Sequence, residues 1–424
     1  MVLRSQGGRP LTNSRAAFRW LWAGQTTSVF GTAVSALAVP TIAILAMHAS
    51  PLAVGFLGAV QFAAFPLLGL VAGVWIDRWS RRTTMLVADV ARALALGSIP
   101  LAAYAHVLSY GQLVAVAAVV GVASVFFEIA YQSLVPSLVE PELLERANAR
   151  LEFTNSAAQI AGSGLAGALI SLIGAPLAVV VDACSYVVSV FALTAVRVRE
   201  THREGDAAAR RAPFARELRE GIEVVLAQPA VVRIAAATAT TNFAYAMVGA
   251  VYLIFLYRTL HLSPALVGGL LAVANLGFAG ALFAPRIGRR FGPGRTLVWS
   301  LGIAMSSQLL LPLALFFPPL PLVLAAELAV TMCVPVYNIT QVSLRQRLIP
   351  AEQMGRANAT LRTMVWGTLP FGTLIGGALG GLIGIVPTVV VATLLALTAL
   401  PWLLTAPVRA LRSYSSVMSA AENG

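Results

Sequence analysis

Twelve apolar runs divide the chain, at residues 20–47, 52–76, 84–105, 111–135, 154–174, 176–196, 230–257, 264–285, 296–317, 320–344, 363–384 and 386–406. Each matches or exceeds the roughly 20 residues needed to cross ~30 Å of hydrocarbon. Each predicts one transmembrane helix, because a helix satisfies every backbone polar group within its own segment. The expected fold class is an all-α membrane protein. No small-residue cleavage site follows the first run, so that run is expected to remain as a span. Twelve spans leave both chain ends on one side of the bilayer.

Charge sets the orientation. Arg4, Arg9 and Arg15 precede the first run, and Arg78, Arg81 and Arg82 follow the second. Arg146 and Arg150 follow the fourth, seven arginines from Arg197 to Arg219 the sixth, and Arg286, Arg289, Arg290 and Arg295 the eighth. Arg345, Arg347, Arg356 and Arg362 follow the tenth, and Arg409 and Arg412 come after the last. The opposite loops hold Arg258 alone. Arginine concentrates on the cytoplasmic side of membrane proteins, so both termini are expected there. The net charge of +12 therefore reports topology and not a nucleic-acid partner.

Composition narrows the chemistry further. The chain is 58% hydrophobic and 11% charged, against about 25% charged in soluble proteins. All 29 basic residues are arginine, which excludes a Walker-type lysine and Schiff-base catalysis. Cys184 and Cys333 fall inside apolar runs, where a disulfide is not expected. The four histidines, His48, His106, His202 and His261, show no metal-ligand spacing. No metal, no cofactor and no enzymatic activity are expected.

The two halves repeat each other. Arg146-Ala147-Asn148-Ala149 recurs as Arg356-Ala357-Asn358-Ala359, 210 residues on, and the same offset pairs Gly162 with Gly372, Gly167 with Gly377 and Gly174 with Gly384. The organisation expected is a cytoplasmic N-terminal tail (1–16), a six-helix bundle (17–196), a cytoplasmic linker (197–229), a second six-helix bundle (230–406) and a cytoplasmic C-terminal tail (407–424). The bundles are pseudo-symmetric. In the linker, Phe214, Leu218, Ile222 and Val225 recur at helical spacing opposite charged positions, which predicts an amphipathic helix on the membrane surface.

After the second run the chain reads Gly73-x-x-x-Asp77-Arg78-x-x-Arg81-Arg82. This resembles the signature loop of the major facilitator superfamily, in which the substrate site lies between two six-helix repeats. By that resemblance the five residues form a conformational latch. Asp77 is expected near the start of span eleven and bonded to Arg81, with Arg78 and Arg82 facing loop or headgroups. Four further stretches resemble the macrolide-efflux and enterobactin-exporter branch: Phe18-Arg19-x-Leu21-Trp22-Ala23-Gly24-Gln25, Ala88-Asp89-x-x-Arg92-Ala93, Phe127-Glu128-x-Ala130-Tyr131-Gln132-Ser133 and Ala147-Asn148-Ala149-x-Leu151. The resemblance implies proton-driven export of a bulky amphipathic small molecule, such as an antibiotic or siderophore, by a monomer in a bacterial inner membrane. Uptake or lipid flipping on the same scaffold, and a non-transporting membrane sensor, are the alternatives. Members of the branch often carry an acid in span one, where this chain has Gly31-Thr32.

Charge inside a span is costly and marks functional candidates. In this superfamily spans one, four, seven and ten line the cavity. Glu128 in span four and Glu327 in span ten are the candidate proton carriers, and Asn338 occupies the repeat position of Glu128. Gln25, Tyr131, Gln132, Asn242, Tyr245, Asn338 and Gln341 are the candidate cavity residues. Asp89, Arg92 and Asp182 lie on the supporting spans three and six, where mutual neutralisation is the expected role. A mostly apolar wall with sparse polar groups is expected to suit a large amphipathic ligand.

Overall fold

The computed structural model describes residues 11–76, 79–140, 143–196, 222–350 and 353–409. Twelve helices in it are long and apolar enough to cross a bilayer: α1 (Ala16–Ala46), α2 (Pro51–Gly69), α3 (Arg81–Tyr104), α4 (Tyr110–Leu138), α5 (Arg146–Ile173), α6 (Ala175–Ala195), α7 (Pro229–Thr259), α8 (Pro264–Phe291), α9 (Pro293–Leu313), α10 (Pro319–Leu348), α11 (Arg356–Leu382) and α12 (Ile385–Leu403). The twelve expected spans are all present. Helix continues past the apolar limit in several places: before α1 back to Leu11, and beyond α2 to Ile76. Helix α5 starts well before residue 154, so the repeated Arg-Ala-Asn-Ala stretches open α5 and α11 as helix, not loop. Of the linker, residues 197–221, with Phe214 and Leu218, lie outside the described residues. Its last turn, from Ile222, is helical and buries Val225 against α7 and the other core side chains of the second bundle.

Polar side chains inside these helices mostly answer to their own backbone. Thr26 donates to the Trp22 carbonyl, Thr41 to Leu37, Thr241 to Ala237 and Thr340 to Val336. A hydroxyl bonded one turn back carries little unsatisfied polarity into lipid.

The two halves repeat in detail at their loops. Helix α1 and helix α7 each end in a π turn, Ile42–Ala46 and Phe255–Thr259. Each is followed by a histidine at positive φ, His48 at 50° and His261 at 54°, and then by Ser-Pro. Ser50 and Ser263 accept from the backbone N–H three residues on and so cap α2 and α8. Gly174 and Gly384 turn the chain between α5 and α6 and between α11 and α12 at φ of 83° and 94°, a conformation that suits glycine.

Helices α2 and α11, and helices α5 and α8, join the halves. At Gly167 on α5 an added Cβ would stand 2.5 Å from the Pro264 carbonyl oxygen and 2.7 Å from the Gly268 Cα of α8. The symmetry-related contact sets Gly377 of α11 against α2, where a Cβ would stand 2.6 Å from the Pro51 carbonyl oxygen and 2.9 Å from the Gly55 Cα. Gly372 and Gly376 instead face Ala246 and Met247 of α7 within the second bundle, and Gly380 faces both Val251 of α7 and Pro51 of α2. All these contacts lie nearer the end opposite the arginine clusters. At that end Tyr257 and Thr41 share a 3.0 Å hydroxyl hydrogen bond, and Arg258 donates to the Ile44 carbonyl at 2.6 Å. At mid-depth, Asn275 of α8 donates to the Gln159 carbonyl of α5 at 2.6 Å. The halves are therefore closed at the arginine-poor end.

A side chain at Gly377 must push two backbones apart. Gly377→Val is expected to destabilise the protein by about 1–3 kcal/mol, the usual range for overpacking. Gly381→Val on the same helix meets nothing within 4 Å and serves as the control. Thermal unfolding in detergent checks this, and equal midpoints for the two variants would refute backbone contact.

Candidate functional site

A cavity of about 540 Å³ lies in the second bundle between α7, α10 and α11. Asn242, Asn338 and Gln341, three of the seven residues expected on a cavity wall, line it together. Asn242 is thirteen residues into α7, roughly 20 Å deep at 1.5 Å per residue, and marks the floor. Arg345, Asn358 and Arg362 stand at the arginine-rich end, where Asn358 and Arg362 are exposed. Val231, Ile234, Leu361, Val365, Trp366 and Leu369 supply the apolar part. Half of the lining residues are polar, so the wall is more polar than expected from sequence. Arg345 and Arg362, read from sequence as topology determinants, belong to the cavity. The signal was available: Asn338, Gln341 and Arg345 follow i, i+3, i+7 spacing, as Asn358, Arg362 and Trp366 follow i, i+4, i+8.

The remaining cavity candidates sit elsewhere. Gln25 on α1 is half-buried, and its side-chain oxygen is buried without a partner. Tyr131 stacks on Phe127 at 6.1 Å between ring centroids, and Gln132 donates its amide to Glu128 on the same helix. Tyr245, 48% exposed, is not among the residues that line this cavity and lies beside Glu327.

The two candidate proton carriers have different surroundings. Glu128 is half-exposed, ten residues from the end of α4, and accepts from Gln132. Across the gap between the halves its charge faces Arg362 of α11. Glu327 is 8% exposed, and its polar neighbours are the phenols of Tyr245 and Tyr252 on α7. The Tyr252 hydroxyl comes up to this carboxyl outside hydrogen-bond geometry and has no other partner. Among the described residues no basic side chain pairs with Glu327, whereas Asp89 is paired with Arg92.

That ion pair sits in the core of the first bundle. Asp89 and Arg92 are one turn apart on α3, 0% and 5% exposed, and bonded to each other. The Arg92 guanidinium is sandwiched at 4.3 Å between the rings of Phe127 on α4 and Tyr186 on α6. Asp182 of α6, 1% exposed, accepts from Ser185 at 3.2 Å and faces the same arginine. The three groups expected to neutralise one another thus meet around one guanidinium, which two carboxyls share. This arrangement also accounts for Gly31. A Cβ there would stand 2.7 Å from the Asp182 carboxylate and 2.8 Å from the Ser185 Cβ, so α6 fills the space that a side chain on α1 would need.

Of the latch residues, Gly73 lies in the helical continuation of α2, and Asp77 and Arg78 lie outside the described residues. The expected Asp77 to Arg81 bond therefore also lies outside them. Arg81 donates to the Ser133 carbonyl of α4 at 3.0 Å. Arg82, expected to face loop or headgroups, instead donates to the Leu193 and Thr194 carbonyls at 2.8 Å each. The last carbonyls of a helix lack partners within it and attract cations, and Arg82 supplies both needs at the end of α6.

A family model described as the Major Facilitator Superfamily matches residues 21–369. Macrolide efflux protein A of Streptococcus pyogenes is 23% identical over 382 residues, spanning 88% of this chain and 91% of that protein. Multidrug efflux pump Tap of Mycobacterium tuberculosis is 27% identical over 328 residues, 73% of this chain and 74% of that one. Among solved structures, a bacterial homologue of the iron transporter ferroportin in its inward-facing state superposes with a TM-score of 0.67 at 21% identity. That match covers 92% of this chain and 99% of the other, and it shows a shared fold.

The ion pair in the first bundle offers a direct check on the neutralising role. Arg92→Leu strands the Asp89 carboxylate in the core and is expected to destabilise by about 3–5 kcal/mol. Asp89→Asn combined with Arg92→Gln removes both charges and is expected to recover most of that loss in thermal unfolding. A double variant no better than the single one would contradict the pairing.

Proposed function

The chain belongs to the Major Facilitator Superfamily and is a multi-pass transporter, not an enzyme; from that premise we propose that it exports a small molecule in exchange for protons. The arginine-rich end is then cytoplasmic, in the inner membrane of a bacterium. The observation that carries the reading is the asymmetric closure: the halves are sealed at the arginine-poor end while a cavity opens at the other. A protein in this state is ready to load from the cytoplasm. The names of its relatives, a macrolide efflux protein and a multidrug efflux pump, support export over uptake.

Glu327 is the proposed coupling carboxyl. A buried acid without a cation must be neutralised by some other positive charge, and a proton is the smallest that can come and go. Of its tyrosine neighbours on α7, Tyr245 lies at mid-depth and Tyr252 nearer the end that must open to release substrate. Glu128 faces Arg362 across the gap and is proposed to draw the two halves together when the arginine-rich end closes. Both act by biasing two global states, which is all that coupling requires. Asp77 is proposed to hold that closed state as the latch residue.

Proton release from purified protein on adding a panel of lipophilic antibiotics and siderophores tests the assignment. Wild type and Glu128→Gln are expected to release protons, and Glu327→Gln to bind without release. The opposite pattern would move the role to Glu128, and no release from wild type would remove proton coupling. Asp77→Asn is expected to lower export at least tenfold with normal membrane insertion; export at the wild-type rate would eliminate the latch.

A further inference from the structure

The cavity between α7, α10 and α11 carries two guanidinium groups and no carboxylate among its lining residues. Arg345 is half-buried there, and its Nε is buried without a hydrogen-bond partner. Arg362 lies over the rings of Phe65 at 4.1 Å and Trp366 at 5.4 Å, which leaves its N–H edge free of any ion pair among the described residues. Glu128 faces Arg362 but lies beyond ion-pair distance and accepts from Gln132. Deeper in, Asn242, Asn338 and Gln341 offer carboxamides, and Leu361, Val365 and Leu369 give an apolar side.

We propose that this cavity binds an amphipathic organic anion, its carboxylate or phosphate held by Arg345 and Arg362 and its apolar body laid against Trp366, Val365 and Leu369. Two cations facing one partly dry space, neither in an ion pair among the described residues, repel each other and favour a negative ligand over a positive one. Planar guanidinium forks match carboxylate and phosphate oxygens, and three carboxamides on the floor would accept or donate to hydroxyl and carbonyl groups of the same molecule. A topology arginine needs only to reach water or headgroups. Arg345 does not fit that description, because its Nε is turned away from solvent and unpaired. The class of ligand follows from the cavity alone, whereas its passage across the membrane rests on the export reading.

Fluorescein and rhodamine 123 share a xanthene ring system and differ in the sign of their charge, which makes them a matched probe pair. Fluorescence anisotropy with the purified full-length protein is expected to show fluorescein binding at least tenfold more tightly than rhodamine 123. Arg345→Gln and Arg362→Gln should each weaken fluorescein about tenfold and leave rhodamine 123 unchanged. The Arg→Lys variants, which keep the charge, should retain an intermediate affinity and verify that the site still folds. Equal affinity for the two dyes, no binding of fluorescein, or wild-type fluorescein affinity in both Gln variants would overturn the proposal. Energised inverted vesicles separate it from the export reading. Accumulation of rhodamine 123 but not fluorescein would overturn the anion site and keep export. Fluorescein bound by the purified protein but never accumulated would keep the site and sink export.

Discussion

Two bundles joined covalently by one linker are held against each other in lipid by backbone meeting backbone at two glycine pairs. Between helices in hydrocarbon there is no water to expel, so association rests on close packing and on the few polar bonds that can form. Gly167 with Gly268 and Gly377 with Gly55 provide that packing on either side of the pseudo-two-fold axis. With α5 against α8 and α2 against α11, faces of α7, α10 and α11 are left to enclose the cavity. The placement of the cavity wall follows from this arrangement.

The repeat is preserved in packing and lost in chemistry. The π turns, the positive-φ histidines and glycines, and the crossing glycines occur in both halves. The buried charges do not. The first bundle encloses an arginine between two aromatic rings with acids around it, a cluster whose charges largely answer one another. Among the described residues the second encloses a single carboxyl, facing phenols. On the proposed reading, it is this second carboxyl whose charge changes during transport.

Much of this was legible in the sequence. Long apolar runs specify spans strongly, and small residues at a constant offset exposed the repeat before any coordinates. Helix ends were less legible, because Arg146, Arg150 and Glu152 lower the hydropathy of α5 while leaving its helical geometry intact. Asn242, Asn338 and Gln341 were found by choosing the helices that face inward. Arg345 and Arg362 were missed because an arginine near a membrane surface satisfies the charge rule wherever its side chain points. The difference between Glu128 and Glu327 was beyond reach, since it depends on which residues of α7 and α11 come alongside.

Arg258 stands apart from the other arginines. On the proposed orientation it is the one arginine carried across the bilayer as α7 and α8 insert, against the bias that keeps its counterparts behind. Its destination is a carbonyl in the last turn of α1, an acceptor that the helix itself leaves unused. A charge that burdens biogenesis thus becomes a fastener between two bodies made at different times, and it can engage only once the second has begun to form. Assembly order is written into this bond: the first half emerges with an open socket, and the arrival of α7 fills it.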